Sequence, residues 1–183
     1  MIGSVSQANI KDECLKARQR IQKHIRYTPV EHSVYLSEKT ESQVFLKLEN
    51  IQITGSFKLR GAANKLLSLN NELHAKGVFT ASSGNHGAAV SHMSQKLRIK
   101  AFVYLPSTTS SAKIKSLKAM GSEIKIVGDD CLKAEMAAKK EAQKRKTCFV
   151  SPYNDLKIIA GQGTVGIELM EQIPQLDAVI VPV

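Results

Sequence analysis

Two short stretches carry the residues best suited to chemistry. The first is Thr54-Gly55-Ser56-Phe57-Lys58-Leu59-Arg60-Gly61. A strand-like run, Val44-Phe45-Leu46-Lys47-Leu48, precedes it through a polar turn, and a helical run from Leu59 to Leu69 follows. Lys58 therefore falls at the mouth of a helix, just past a Gly-Ser turn. The partial positive charge of a helix N-terminus disfavours a second cation, and an uncharged lysine amine is a nucleophile toward an aldehyde. Taken alone, the stretch also admits the simpler reading of a surface lysine. The second stretch is Ala81-Ser82-Ser83-Gly84-Asn85-His86-Gly87-Ala88, which follows the strand-like run Gly77-Val78-Phe79-Thr80 and opens another helix. Free backbone N–H groups, hydroxyls and an amide at a helix start can bind an anion. The same residue types are good N-capping chemistry, which is the structural alternative.

At this spacing the two stretches together resemble the fold-type II pyridoxal-phosphate enzymes, most closely the threonine/serine dehydratase and serine racemase group. The resemblance is dense from about Tyr27 to Val183. It takes in Arg26-Tyr27-Thr28-Pro29, Leu46-Lys47-Leu48-Glu49-Asn50, Ala160-Gly161-Gln162-Gly163-Thr164 and Val179-Ile180-Val181-Pro182-Val183. It implies an α/β fold with three-layer parallel sheets of the tryptophan synthase β-subunit-like class, in two lobes. It also implies pyridoxal 5'-phosphate as cofactor and Lys58 as the catalytic Schiff-base lysine. Phe57 would pack beside the pyridine ring and Asn85 would hydrogen-bond the cofactor's phenolic oxygen. Ser82, Ser83, Gly84, Asn85 and His86 would form the loop that grips the substrate carboxylate. The His86 side chain by itself reads as a loop-packing group.

The activity implied is that of an ammonia-lyase converting L-threonine and/or L-serine to a 2-oxo acid and ammonia. Ser83 matches the position where racemases place a catalytic hydroxyl opposite the lysine; many dehydratases have alanine there and some have serine. Serine racemase is therefore the same-class alternative, although Tyr153, after Pro152, is more dehydratase-like. The different-class alternative is a non-catalytic cofactor-lobe module that binds a ligand or a partner chain. A β-replacement enzyme such as a cysteine synthase is a third; those enzymes usually carry Thr-Ser-Gly-Asn-Thr, from which Ser82, Ser83 and His86 depart. Family members run well past the length of this chain, and a glycine-rich phosphate loop follows the strand at 178–181 in them. The chain is thus expected to be roughly an N-terminal half, with a possible divalent-cation site in the other half. A homo-oligomer, dimer or tetramer, is expected at full length.

Composition narrows the remaining classes. The 183 residues are 43% hydrophobic and 23% charged, ordinary for a globular chain. No apolar run approaches the ~20 residues that span a bilayer, and residues 1–11 lack a signal core, so a cytoplasmic protein without membrane contact is expected. The three cysteines, Cys14, Cys131 and Cys148, show no Cys-x-x-Cys spacing, which points to reduced thiols. The five histidines lack metal-binding spacing, so no metal site is expected. The net charge of +10 invites a nucleic-acid reading, but it concentrates on residues 113–118 and 133–146, and aromatics are only 5% of the chain. Solvated helix faces account for it, and no nucleic-acid partner is expected. Gly161-Gln162-Gly163-Thr164-Val165-Gly166 fits the dinucleotide pattern, but no strand runs directly into it and no suitable acid follows. In the resembled family this stretch opens a helix against the cofactor lobe.

The elements that must position these motifs follow from periodicity. Ile10, Cys14, Ala17, Ile21 and Ile25 mark an amphipathic helix over 9–25, ended by Tyr27-Thr28-Pro29. Strand 44–48 and helix 57–70 follow. From Gly77 the pattern alternates: strand 78–81, helix 84–97, strand 101–105, helix 110–120, strand 124–127, helix 130–146 and strand 148–151. Such alternation implies βαβ units and a parallel sheet, whose ligand loops lie outside the carboxyl ends of its strands. A helix over 158–172 and a strand over 178–181 close the chain. The division expected is a lysine-bearing part of the large lobe (1–77), a small four-stranded substrate lobe (78–151) and a return to the large lobe (152–183).

Overall fold

The computed structural model describes residues 7–181. Helix α1 (Gln7–Ile21) leads into strand β1 (Val30–His32), helix α2 (Val34–Thr40) and strand β2 (Phe45–Lys47). A 3-10 turn at Glu49–Ile51 precedes helix α3 (Lys58–Leu67), followed by α4 (Asn71–Lys76). Then come β3 (Val78–Ala81), α5 (Asn85–Leu97), β4 (Ala101–Leu105), α6 (Ser111–Ala119), β5 (Glu123–Ile126), α7 (Cys131–Lys144), β6 (Cys148–Phe149) and α8 (Leu156–Gln172).

Strands β3 to β6 form one parallel sheet in the order β5-β4-β3-β6. Its register pairs Val78 with Ala101 and with Cys148, and Val103 with Ile124. Side chains alternate across it, as a pleated strand requires. Phe79, Phe102 and Tyr104 point to one face, where Ala134, Ala138 and Ala142 of α7 meet them. Alanines at i, i+4 and i+8 keep that helix face flat enough to lie on the stacked rings of Phe79 and Phe102, 4.6 Å apart. On the other face Val103 and Leu105 meet Leu117 of α6, while Val78 and Ala101 join α5 and α3 through Val90, Met93, Leu59 and Leu66. Helices thus cover both faces of a parallel sheet, and strand-end loops project from one edge.

Helix α8 crosses α3 at backbone contact distance. A Cβ at Gly161 would sit 2.6 Å from the Arg60 carbonyl oxygen and from Gly61 Cα. The glycines in Gly161-Gln162-Gly163 therefore serve helix–helix approach. This corrects the expectation that the stretch opens a helix: α8 begins at Leu156, capped by the Asp155 carboxylate on Lys157 and Ile158 N–H.

Other expectations also shift. Helix α1 ends at Ile21, four residues early, because the chain turns through 22–24 to reach the extended Thr28-Pro29. Strand β6 covers two residues rather than four. Short elements α2, α4 and β1 were not anticipated, and β1 pairs antiparallel with β2. The strand expected at 178–181 is not formed; Val179, Ile180 and Val181 are exposed and pair with no strand among the described residues.

Candidate active site

Lys58 is the first residue of α3, so its amine is carried on a helix rather than on a free loop. The mouth of that helix is held from two sides. The Ser56 hydroxyl accepts from Lys58 N–H at 3.4 Å, and Gln162 Oε1, reaching across from α8, accepts from Gly61 N–H at 3.0 Å. The Lys58 side chain is half-buried, its Nζ donating to the Pro152 carbonyl at 3.4 Å and lying 5.0 Å from the centroid of the Phe57 ring. Lys58 forms no ion pair with a carboxylate among the described residues, whereas its helix neighbour Lys65 pairs with Asp155 at 2.6 Å.

The Ser82–His86 loop leaves the carboxyl end of β3 and enters α5. Helices α7 and α8 begin with side-chain caps from Asp130 and Asp155, but the cap residue of α5 is Gly84, with no side-chain cap. The first α5 hydrogen bond to form is Ala88 N–H to Gly84 carbonyl. The N–H groups ahead of it have no intrahelical acceptor. Gly87 is required by closeness: a Cβ there would overlap the Ser82 carbonyl. Ser82 and Ser83 are half-buried, while Gly84 and Asn85 are exposed. A shallow recess lined by Ser82, Ser83, Tyr104, Pro106 and Cys131 adjoins the loop.

The His86 ring turns inward and is 3% exposed. Its Nε2 lies 3.1 Å from the Val150 carbonyl, and its Nδ1 is buried without a partner. Burial pushes its pKa down to about 4; the Val150 carbonyl works the other way and the nearby Lys58 charge adds to the drop. The ring is therefore neutral at physiological pH. The two motifs meet on the 150–152 segment, Lys58 through the Pro152 carbonyl and His86 through the Val150 carbonyl.

A charged group at the heart of the fold was not singled out from the sequence. Arg60, two residues from Lys58, is fully buried. Its guanidinium donates to Glu49 (2.7 and 2.9 Å), Glu168 (2.6 and 2.8 Å) and the hydroxyls of Thr164 and Thr28. Lys47 Nζ donates to the second side of Glu168 at 2.6 Å, to Gln172 and to the Thr28 carbonyl. Two cations and two carboxylates thus balance. Burial works against the Arg60 charge, but Glu49 and Glu168 outweigh it and push the guanidinium above its ordinary value. Burial likewise works to raise Glu168, but bonds from Arg60 and Lys47 hold its carboxyl below the usual range. The one signal in the sequence was an arginine amid apolar helix positions, Leu59, Ala62, Ala63 and Leu66, with no exposed face left for it.

Residues 21–183 match the family described as pyridoxal-phosphate dependent enzyme. The chain belongs to this family. It is 40% identical over 172 residues to the L-threonine ammonia-lyase of Thermotoga maritima, covering 93% of this chain and 43% of that protein. It is also 40% identical over 169 residues to the catabolic L-threonine dehydratase of Staphylococcus aureus, covering 92% and 49%. Among solved structures, maize serine racemase superposes with a TM-score of 0.86 at 34% identity, covering 91% of this chain and 50% of that one. A threonine deaminase isoform of Solanum lycopersicum does so with a TM-score of 0.87 at 30% identity, covering 92% and 47%. The fold is that of the fold-type II enzymes, and the chain spans about half the length of the curated relatives it matches. No helix among the described residues is long and apolar enough to cross a membrane.

Proposed function

We propose that the protein containing this chain is a pyridoxal-phosphate dependent ammonia-lyase acting on L-threonine and/or L-serine. The observation that carries this reading is the meeting of a lysine amine, free of any carboxylate among the described residues, with an uncapped Ser-Ser-Gly-Asn helix mouth on one crossover segment. Two curated relatives of 40% identity are a threonine ammonia-lyase and a threonine dehydratase.

The residues present fit the cofactor. Lys58 is an amine held in place but without a counter-ion, the Phe57 ring flanks it, and neutral His86 adds no competing charge. Lys58 would be the attachment point, Phe57 would flank the pyridine ring and Asn85 would bind the phenolic oxygen. Bound pyridoxal phosphate supplies an electron sink for the carbanion formed at the substrate Cα. The chain's own residues supply the rest. The N–H groups and hydroxyls of Ser82 to His86 hold the substrate carboxylate and fix the Cα–H bond toward Lys58. The Lys58 Nζ would take the α-proton, the β-hydroxyl would leave as water, the proton lost from Cα balancing the one it gains, and hydrolysis of the released enamine would give a 2-oxo acid and ammonia.

Ser83 supports racemisation as the second reading, because a hydroxyl on the face opposite Lys58 can return the proton there, and serine racemases are among the similar structures. Product analysis separates the two: pyruvate and ammonia from serine, or D-serine. The same proposal includes a lysine-bearing lobe (1–77 with 152–183), a substrate lobe (78–151), a cytoplasmic homo-oligomer and a divalent cation held outside these residues.

Titration of the purified chain with pyridoxal phosphate tests the assignment. A long-wavelength absorbance band is expected, and Lys58→Ala is expected to abolish it. A Lys58→Ala protein that kept the band, or kept turnover in the full-length enzyme, would overturn it.

A further inference from the structure

One side chain from each motif, and Thr80 from the strand before the second, end on one short backbone segment. The chain passes from β6 to α8 through Val150-Ser151-Pro152-Tyr153. The Val150 carbonyl accepts from Thr80 Oγ1 at 2.9 Å and meets His86 Nε2 at 3.1 Å. The Pro152 carbonyl accepts from Lys58 Nζ at 3.4 Å. The segment is rigid by its own bonds: Val150 is fully buried, and the Ser151 hydroxyl accepts from Asn154 N–H at 3.0 Å and Tyr153 N–H at 3.4 Å.

Thr80 is the last residue but one of β3 and His86 the second of α5, so a single carbonyl closes the base of the loop between them. A carbonyl oxygen only accepts, so the His86 proton must sit on Nε2, and Nδ1 is left bare and buried. A neutral ring on this tautomer cannot attract a carboxylate by charge, and it faces away from the loop opening. Its contribution is geometric.

We propose that the His86 ring is a positioning residue that, through the Val150 carbonyl, fixes the Ser82–Asn85 loop relative to the Lys58 amine. This rests on reading that loop as the carboxylate grip and Lys58 as the reactive amine. The clasp holds the loop at its base, and the crossover transmits its position two residues on to the carbonyl that holds Lys58. Loss of the clasp frees the loop while leaving the amine in place.

The test compares His86→Leu, which keeps bulk but loses the donor, with His86→Gln, which restores an N–H. In the chain without cofactor, nitrogen NMR of the wild-type ring is expected to show Nε2 protonated and Nδ1 bare at neutral pH. Amide exchange at Ala88, whose bond to the Gly84 carbonyl is the first of α5, is expected to quicken about tenfold in His86→Leu, the worth of one hydrogen bond, and to return toward wild type in His86→Gln. In the full-length enzyme with pyridoxal phosphate and L-serine or L-threonine, His86→Leu is expected to raise KM about tenfold with the Lys58-dependent band unchanged, and His86→Gln to recover most of that loss. A wild-type ring protonated on Nδ1, or equal behaviour of the two variants, would overturn the proposal. Should His86→Leu not fold, the tautomer and Thr80→Val, which removes the other donor to the same carbonyl, decide it by the same amide exchange. Absence of wild-type turnover would count against the proposed reaction only, because tautomer and exchange are read without it.

Discussion

Helix α3 meets α5 along one flank and α8 along another, and the two contacts differ in kind. Toward α5 it joins an apolar cluster in which Leu59, Ala62, Ala63 and Leu66 meet Ala89, Val90 and Met93. Toward α8 it buries Arg60 against Glu168 and Thr164, and Asn64 donates to the Lys157 carbonyl at 2.7 Å. Apolar burial is roughly proportional to area and has no direction, so the α5 flank tolerates small rotations of the helix. A guanidinium bonded by a fork to two carboxylates does not, because each bond has a short range of distance and angle. The helix that presents Lys58 is thus attracted by one flank and aligned by the other. A buried ion pair is weak support for stability as such. Its value here is that it fixes the rotation of a helix whose first residue is Lys58.

The largest effect is expected from breaking the aligned flank. Arg60→Met leaves buried Glu168 with Lys47 as its one remaining cation among the described residues and half-buried Glu49 with none, a loss of about 3–5 kcal/mol measured by urea denaturation. The penalty should shrink in acid. Glu168 is held below its ordinary value in the fold, so its contribution is present above the unfolded pKa and lost as pH falls through the folded one. Arg60→Met removes most of what depresses Glu168, so wild type loses more stability than the variant as pH drops below the carboxylate range. A cost that held constant into that range would mean Arg60 acts by packing alone.

On the apolar flank, Leu66→Ala is expected to cost about 3 kcal/mol by losing transfer energy and leaving a cavity among fully buried neighbours. This cost should not vary across the carboxylate range, since the apolar cluster contains no acidic side chain. Parallel pH dependences for Leu66→Ala and Arg60→Met would erase the distinction between the flanks.

The two kinds of contact were unequally legible. The α5 flank follows from apolar spacing, as do the strands and helices from Val78 onward, because strands of period two and helices of period 3.6 alternate there with glycine and polar breaks. The first region yielded less. Helix α2 exposes Val34 and Tyr35, so it shows no buried stripe, and its visible signal was the Ser33 cap on Leu36 N–H. Strand β1 is three residues long, too short for alternation to register. The apolar run at 178–181 signalled appetite for burial, but a strand also needs a partner, and none lies beside it among the described residues. Lys58 and the Ser82–His86 loop could be singled out because their chemistry is in side chains and turn residues. The Val150 and Pro152 carbonyls that gather them are backbone groups, which every residue type shares. Arg60 and Glu168 lie 108 positions apart, and no local pattern links them.

The smallest effect is also the finest probe of the α3–α8 contact, because it turns on sign. Glycine within a helix is less favourable than alanine by roughly 0.5–1 kcal/mol. Gly166 lies in α8 with open space where a Cβ would be, so Gly166→Ala is expected to gain about that much. Gly161 lies in the same helix, but its Cβ would meet backbone atoms of Arg60 and Gly61 at 2.6 Å. Backbone cannot swing aside as a flexible side chain can, so the helices must part, and overpacking of this kind costs about 1–3 kcal/mol. Set against the same propensity gain, Gly161→Ala is expected to lose about 1 kcal/mol net, read as a lowered Tm beside the raised Tm of Gly166→Ala. Parting the helices would also lengthen the bonds from Arg60 to Glu168 and from Gly61 to Gln162, so the loss should be smaller in an Arg60→Met background. Gains at both glycines would show that α8 does not press on the backbone of α3, and alignment of the Lys58 helix would then rest on the ion network alone.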